Sequence, residues 1–211
     1  MRLEEALRSA NMPLDFTQSY GKAGVVELFP WQSDLLEILQ AHAYSKNLLY
    51  SAPTGGGKTL VAELLTLRQV VLGKKKAIFV LPFVSIVHEK VKHFNSIVRG
   101  FNRTKDDKSD RIKVKGLYGE VGILDKNVWR ADIVICTVDK ATSLVNLFIE
   151  RKKLDRVGIV VVDEVHSLGS SFQGYSIENM LTKLRYIAKH NITRVSATGD
   201  TRCDVQLVAL S

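Results

Sequence analysis

The sequence contains only two cysteines, Cys136 and Cys203, among 211 residues. Two thiols are too few for a disulfide scaffold or a zinc site, and this scarcity is typical of a reducing compartment. Long apolar runs are also missing, because no stretch approaches the roughly 20 residues needed to span a bilayer. Acidic side chains interrupt residues 1–16, where a secretory signal would need a long apolar segment, so we expect neither secretion nor a membrane partner.

Internal repeats and low-complexity segments are absent as well. With 45% hydrophobic and 25% charged residues, the composition is that of one globular domain, or at most two small ones. The net charge of +8 suits a polyanionic partner, but many ordinary domains are equally basic. Charge by itself therefore identifies no partner.

Five short runs are rich in apolar and β-branched residues. They lack polar alternation, which predicts strands buried on both faces of a mostly parallel sheet. The runs are KNLLYS (46–51), AIFVLP (77–82), ADIVICT (131–137), VGIVVVDE (157–164) and ITRVSAT (192–198). Apolar residues at helical spacing begin near Leu60, Val84, Ala141 and Ile177. The predicted fold class is therefore α/β, with helices on both faces of the sheet.

Two segments differ from this pattern. Residues 1–27 precede the first strand and are predicted as a partly helical lead-in to a domain at 28–211. Residues 99–113 are polar and of mixed charge, which predicts a solvated loop or an insertion.

The stretch APTGGGKT follows the first predicted strand and opens the first helix. Its glycines let backbone N–H groups converge on a phosphate, and the helix N-terminus adds positive potential. Lys58 is expected to reach the β- and γ-phosphates, and the Thr59 hydroxyl to hold Mg²⁺. A glycine-rich turn with an accidental lysine is the weaker alternative. The predicted nucleotide-binding residues are Ala52, Pro53, Thr54, Gly55, Gly56, Gly57, Lys58 and Thr59.

The run IVVVDEVH places two acidic residues at the carboxyl end of a predicted strand. Asp163 is expected to bind Mg²⁺, and Glu164 to orient or deprotonate the attacking water. Acidic residues after a strand often only cap the next helix, but the glycine loop favours the catalytic interpretation. His166 completes a DEVH tetrad, although a histidine at such a position is usually a local hydrogen-bond partner.

Six motifs, two of which are the glycine-rich stretch and the DEVH tetrad, resemble those of the first RecA-like lobe of superfamily 2 helicases of the DExH type. They also follow one another along the chain in the same order as in that family. The amino-acid sequences of these motifs most resemble those of the DNA polymerase theta helicase domain and related DNA repair helicases. The other four motifs are FPWQ (29–32, the Q motif), LPFVSIVHEK (81–90, motif Ia), CTVDKATSLVN (136–146, motif Ib) and VSAT (195–198, motif III).

The resemblance implies a RecA-like P-loop NTPase fold, ATP or ADP with Mg²⁺ as cofactors, and single-stranded or forked DNA as partner. It implies that Gln32 hydrogen-bonds adenine, while Trp31 is expected in the core. Ser196 and Thr198 would couple the ATP site to nucleic acid. Catalysis would fall to Lys58, Asp163, Glu164 and His166. Predicted contacts to the nucleic-acid backbone are Pro82, Ser85, Thr137 and Lys140.

Helicases of this kind carry a second RecA-like lobe with an arginine finger, and no matching motif follows residue 198. We therefore expect this polypeptide to be a fragment of a nuclear 3′–5′ DNA helicase, able to bind Mg-nucleotide but poor at hydrolysis. The stretch SATGDTRCD also differs from the sequence that the resemblance leads us to expect after motif III. Two alternatives stay open: an RNA helicase of the same superfamily, and a nucleotide-gated nucleic-acid-binding module.

Overall fold

The structure is a computed structural model that describes residues 1–169, 172–191 and 205–211. Within these ranges the chain forms a sheet of six strands, and every pairing between them is parallel. In chain order the strands are β1 (Leu48–Tyr50), β2 (Lys76–Leu81), β3 (Val114–Leu117), β4 (Ile133–Thr137), β5 (Val157–Val162) and β6 (Gln206–Leu210). Their order across the sheet is β1-β6-β5-β2-β4-β3.

The central strands are apolar at nearly every position because both faces of the sheet are covered. In β5, Ile159 and Val161 pack into one hydrophobic cluster, while Val160 and Val162 pack into a second cluster on the opposite face. All four side chains are fully buried. The missing polar alternation in the sequence thus has the predicted cause, a parallel sheet between two layers of helices.

Helices form both layers. One layer contains α1 (Leu3–Ser9), α2 (Asp15–Lys22), α3 (Pro30–Ala41), α4 (Lys58–Val71) and α5 (Val84–Arg103). The other contains α6 (Lys126–Arg130), α7 (Val138–Glu150) and α8 (Phe172–Asn191). The four helices predicted from apolar spacing are confirmed as α4, α5, α7 and α8. Among the helices described, none combines the length and the apolar character that crossing a membrane requires.

The N-terminal segment is partly helical, as predicted, and it belongs to the first core. Phe16 of α2 is fully buried and stacks on Phe101 of α5, with ring centroids 5.2 Å apart. Tyr20 is also buried, and its hydroxyl donates to a carboxylate oxygen of Glu63 in α4 at 3.2 Å. The lead-in therefore contributes packing to the same domain that carries the glycine-rich loop.

Some boundaries differ from the sequence-based expectation. The predicted loop 99–113 begins too early, since residues 99–103 are the last turn of α5, where Phe101 is buried against Phe16. Strands β3 and β6 were not predicted; β3 has a lysine and a glycine among its four residues, which weakens its apolar pattern. The strand predicted at 192–198 lies outside the described residues.

Candidate nucleotide-binding site

Strands β1, β5 and β6 are neighbours, and their carboxyl ends meet at one edge of the sheet. In open parallel sheets this edge is where ligands bind. β1 leads into the glycine-rich loop and then α4, β5 leads into Asp163, and β6 leads into Ser211. Three segments separated in sequence are therefore brought to one place.

The loop before α4 has a shape that glycine permits. Gly55 and Gly57 adopt φ angles of +79° and +73°, in the left-handed region. A Cβ atom on Gly57 would lie 2.5 Å from Nε2 of Gln32, and one on Gly56 would lie 2.9 Å from the carbonyl oxygen of Pro53. Close neighbours therefore exclude a side chain at Gly56 and at Gly57. The loop leads directly into the N-terminus of α4, where the first N–H groups have no acceptor within the helix.

The Gln32 side chain is 1% exposed and already has partners within the protein. Its Nε2 donates to the carbonyl oxygen of Gly57 at 2.7 Å, and its Oε1 accepts from the N–H of Phe29 at 2.8 Å. The residue therefore braces the loop against the start of α3. Recognition of adenine by this amide stays a prediction.

The acidic pair lies opposite the loop lysine, as the sequence predicted. Nζ of Lys58 is 3.8 Å from Oε1 of Glu164, and Nδ1 of His166 is 3.1 Å from Oε2 of the same carboxylate. Glu164 has φ of +56°, a left-handed conformation uncommon for a residue with a side chain, and its N–H donates to Oδ1 of Asp163 at 2.9 Å. This tight turn at the end of β5 brings the carboxylate of Glu164 to Lys58.

Burial raises the pKa of the Asp163 carboxyl above its ordinary value, and the charge of Glu164 acts in the same direction. The N–H of Glu164 and the ammonium groups of Lys58 and Lys90 oppose this rise. A carboxylate in this environment has lost part of its hydration, which favours interaction with a further cation.

Magnesium binding by Thr59 and Asp163 stays a prediction. Among the residues described, no group of three or more His, Cys, Asp or Glu side chains could hold a metal ion. Mg²⁺ is typically bound by one or two carboxylates together with substrate phosphates, and the predicted site would be of this kind.

Ser211 was not singled out from the sequence, yet β6 brings it to this site. Its Oγ lies 3.3 Å from Nδ1 of His166, and its carbonyl oxygen accepts from Oγ of Ser51 at 3.1 Å and from the N–H of Ala52 at 3.2 Å. Ser211 therefore connects the DEVH segment to the start of the glycine loop. Ser196 and Thr198, which were predicted to couple the ATP site to nucleic acid, lie outside the described residues.

A comparison with known protein families shows to which family this chain belongs. The DEAD/DEAH box helicase family matches residues 30–204, a range that contains Gln32, the glycine loop and the DEVH tetrad. The chain belongs to the DEAD/DEAH box helicase family. Its six-stranded parallel sheet between helical layers is the RecA-like fold that the sequence predicted.

Individual relatives narrow the resemblance to DNA-associated proteins. The chain is 39% identical to mouse DNA polymerase theta over 207 residues, 97% of this chain and 8% of that protein. It is 36% identical to the human helicase POLQ-like protein over 87% of this chain and 16% of that protein. It is 32% identical to the ATP-dependent DNA helicase Hel308 of Methanocella arvoryzae over 89% of this chain and 24% of that protein. The chain thus spans a quarter or less of these relatives' length.

Solved helicase structures share the fold. The DUF1998 helicase MrfA superposes with a TM-score of 0.69 at 19% identity, covering 94% of this chain and 29% of that one. The same helicase bound to DNA and AMPPNP gives a TM-score of 0.70 at 20% identity, covering 94% of this chain and 26% of that one.

In this DEAD/DEAH box helicase chain, the residues predicted to contact nucleic acid lie beyond two neighbouring strands. Leu81 of β2 pairs with Thr137 of β4, so Pro82, the next residue, lies near Thr137, and Ser85 lies in the first turn of α5. The Nζ of Lys140 donates to the carbonyl oxygen of Val121 at 3.0 Å. Part of the hydrogen-bonding capacity of Lys140 therefore holds the turn after β3, and nucleic-acid contact stays a prediction for all four residues.

Trp31 and Tyr50 are two further residues of this site whose roles the sequence did not reveal. Trp31 packs against the first core, as expected, but its Nε1 also donates to the carbonyl oxygen of Gly56 at 3.2 Å. The hydroxyl of Tyr50 donates to the carbonyl oxygen of Lys58 at 2.6 Å. Each residue sits within or beside a recognised motif, which is the signal that could have marked them.

Proposed function

We propose that this chain is the ATP-binding lobe of an ATP-dependent 3′–5′ DNA helicase that acts in DNA repair. The observation that carries the proposal is the approach of Lys58 to within 3.8 Å of Glu164 at the edge where the glycine loop and the DEVH tetrad meet. Mouse DNA polymerase theta and the ATP-dependent DNA helicase Hel308 support DNA as the polymer, and a nuclear location is part of the same proposal.

Each residue of the edge has a defined task in this proposal. The ammonium of Lys58 contacts the β- and γ-phosphates, in the place where Glu164 now lies near it. Thr59 and Asp163 would hold Mg²⁺, which would supply positive charge beside the phosphate oxygens. Glu164 orients the attacking water and accepts its proton, and the contact of Nδ1 of His166 with Oε2 holds that carboxylate in position.

Translocation requires more than this lobe. In related phosphoryl-transfer enzymes an arginine finger stabilises the transition state, and the proposal assigns it to a second RecA-like lobe of the full-length protein. Single-stranded or forked DNA would cross the surface that contains Pro82, Ser85 and Thr137. Closure of the lobes around ATP would then move the strand.

Nucleotide titration tests the site directly. Fluorescent adenine and guanine nucleotides are added to the 211-residue chain with and without Mg²⁺. We expect Mg-dependent binding with a preference for adenine, and a loss of about tenfold to a hundredfold or more in Lys58→Ala, as for a charge-assisted hydrogen bond. The exposed Lys189 provides the matched control, Lys189→Ala, which should bind normally.

Unchanged affinity in Lys58→Ala would overturn the nucleotide site, and a guanine preference would contradict the role of Gln32. The polymer is tested with the full-length protein by comparing ATPase stimulation by single-stranded DNA and RNA of equal length. Stimulation by RNA alone would replace the DNA helicase with an RNA helicase. Full biological activity of Lys58→Ala would instead indicate a binding module without catalysis.

A further inference from the structure

Three side chains donate hydrogen bonds to three consecutive backbone carbonyl groups at the end of the glycine loop. Two of the donors lie at the start of α3 and one lies at the end of β1. The pairs are Trp31 Nε1 with Gly56 at 3.2 Å, Gln32 Nε2 with Gly57 at 2.7 Å, and Tyr50 Oη with Lys58 at 2.6 Å. We call these three side chains the carbonyl clamp.

The planarity of the peptide bond gives the carbonyl clamp a consequence on the other side of the loop. In a trans peptide, the carbonyl of one residue and the N–H of the next lie in one plane and point in opposite directions. Fixing the three clamped carbonyls therefore also fixes the next three N–H groups, those of Gly57, Lys58 and Thr59. These groups lie at the N-terminus of α4, where N–H donors are available to an anion.

We infer that Trp31 and Tyr50, together with Gln32, are positioning residues that hold the phosphate-binding N–H groups in their binding orientation before nucleotide arrives. The inference rests on the proposed nucleotide-binding function and extends it to two residues outside the glycine loop. Orienting donors in advance lowers the cost of ordering them on binding, and this gain appears as affinity.

The surroundings of the carbonyl clamp show that its members are held firmly. The rings of Trp31 and Tyr50 pack together with centroids 5.8 Å apart, so each donor limits the movement of the other. The Tyr50 phenol is protonated at neutral pH and is therefore a donor, and burial raises its pKa further. Gln32 approaches Gly57 so closely that no Cβ fits between them.

Tyr50→Phe in the 211-residue chain is the sharpest test, because it removes the hydroxyl and keeps the ring packing. We expect its dissociation constants for Mg-ATP and Mg-GTP to rise by the same factor, about threefold to tenfold, as for one lost neutral hydrogen bond. Trp31→Phe should behave alike. An equal loss for both bases identifies an effect on phosphate binding, whereas a defect in adenine recognition would change ATP alone.

Controls separate this inference from the proposed function and from misfolding. Tyr175 is 66% exposed, so Tyr175→Phe is the matched change and should leave both affinities unchanged. Thermal unfolding without nucleotide verifies that each variant folds. Wild-type affinity in folded Tyr50→Phe and Trp31→Phe would overturn the carbonyl clamp even if Lys58→Ala abolishes binding. Wild-type affinity in Lys58→Ala would instead overturn the nucleotide site itself.

Discussion

Glu164 shows how a single residue can serve two partners. Its left-handed backbone turns the carboxylate toward the glycine loop, where Oε1 lies 3.8 Å from Nζ of Lys58 and Oε2 lies 3.1 Å from Nδ1 of His166. The phosphates of a nucleotide would enter beside this negative charge. In the proposed function the same carboxylate would therefore oppose nucleotide binding slightly and would also be the base for hydrolysis.

We predict that Glu164→Gln binds Mg-ATP up to about fivefold more tightly, since a partly exposed ion pair is worth at most about 1 kcal/mol. In the full-length protein its kcat should fall by about 10²–10⁴, the usual contribution of general base catalysis. Titration and single-turnover hydrolysis measure the two effects separately. Glu178→Gln, at an exposed position of α8, is the matched control. Normal turnover in Glu164→Gln would refute the assignment of the base.

At the scale of helices, Glu63 connects α2, α4 and α5, which are separate segments of the sequence. Its side chain is 5% exposed and lies in α4, one turn beyond the glycine loop. Oε1 accepts from Nζ of Lys90 at 2.9 Å, and Oε2 contacts Nε2 of His93 at 2.9 Å and the hydroxyl of Tyr20 at 3.2 Å. This cluster fixes α4 to α2 and to α5, the helix that contains Ser85 and begins just after Pro82, two of the predicted nucleic-acid contacts.

The pKa of Glu63 reflects the balance of burial and pairing in this cluster. Burial would raise it, but the hydrogen bond to His93 and the charge of Lys90 together lower the pKa below its ordinary value. A carboxyl whose pKa is lower in the folded state stabilises the fold above its unfolded pKa. That stabilisation is lost as the pH falls through the lower, folded value.

We predict that Glu63→Gln lowers the free energy of unfolding by about 3–5 kcal/mol at neutral pH, because Lys90 loses its buried partner. The melting temperature of the wild type should fall as the pH drops below about 4, and this fall should be shallower in Glu63→Gln. Urea unfolding and thermal scans across this range provide the measurements. Glu89→Gln, at an exposed position of α5, should keep the wild-type profile. Identical pH profiles for wild type and Glu63→Gln would show that the cluster is not the source.

At the scale of the whole molecule, the glycine loop and the acidic residues after β5 lie at one edge of a sheet whose two faces are covered by helices. Thr54 and Gly55 of the glycine loop are exposed at that edge, whereas the neighbouring strand β5 is buried along its whole length. In the proposed function this sheet holds one half of the catalytic residues, and the second lobe would supply the other half.

We predict that the isolated chain and the full-length protein bind Mg-ATP with similar dissociation constants. Their kcat values should differ by about 10³–10⁵, because the arginine finger comes from the second lobe. Steady-state ATP hydrolysis by the two proteins, each with its Lys58→Ala variant as background, measures this difference. Hydrolysis by the isolated chain at the full-length rate would exclude the two-lobe mechanism.

The sequence by itself determined the elements whose signals are local. The glycine loop between a strand and a helix, the acidic pair after β5 and the helical faces of α4, α5, α7 and α8 are confirmed in position. All of them depend on spacing within about twenty residues. Such features can be predicted from the sequence because the repeats of helices and strands place residues that are close in sequence on the same face.

The tertiary structure decided what occupies the space around those elements. The strand between β1 and β5 is β6, and it brings Ser211 to Ser51, 160 residues away in sequence. Trp31 reaches Gly56 across 25 residues, and Glu63 meets Lys90 across 27. These contacts follow from the order in which strands cross the sheet and from how helices pack on it. Hydrogen-bond partners so distant in sequence leave no periodic signal, so only the folded chain reveals them.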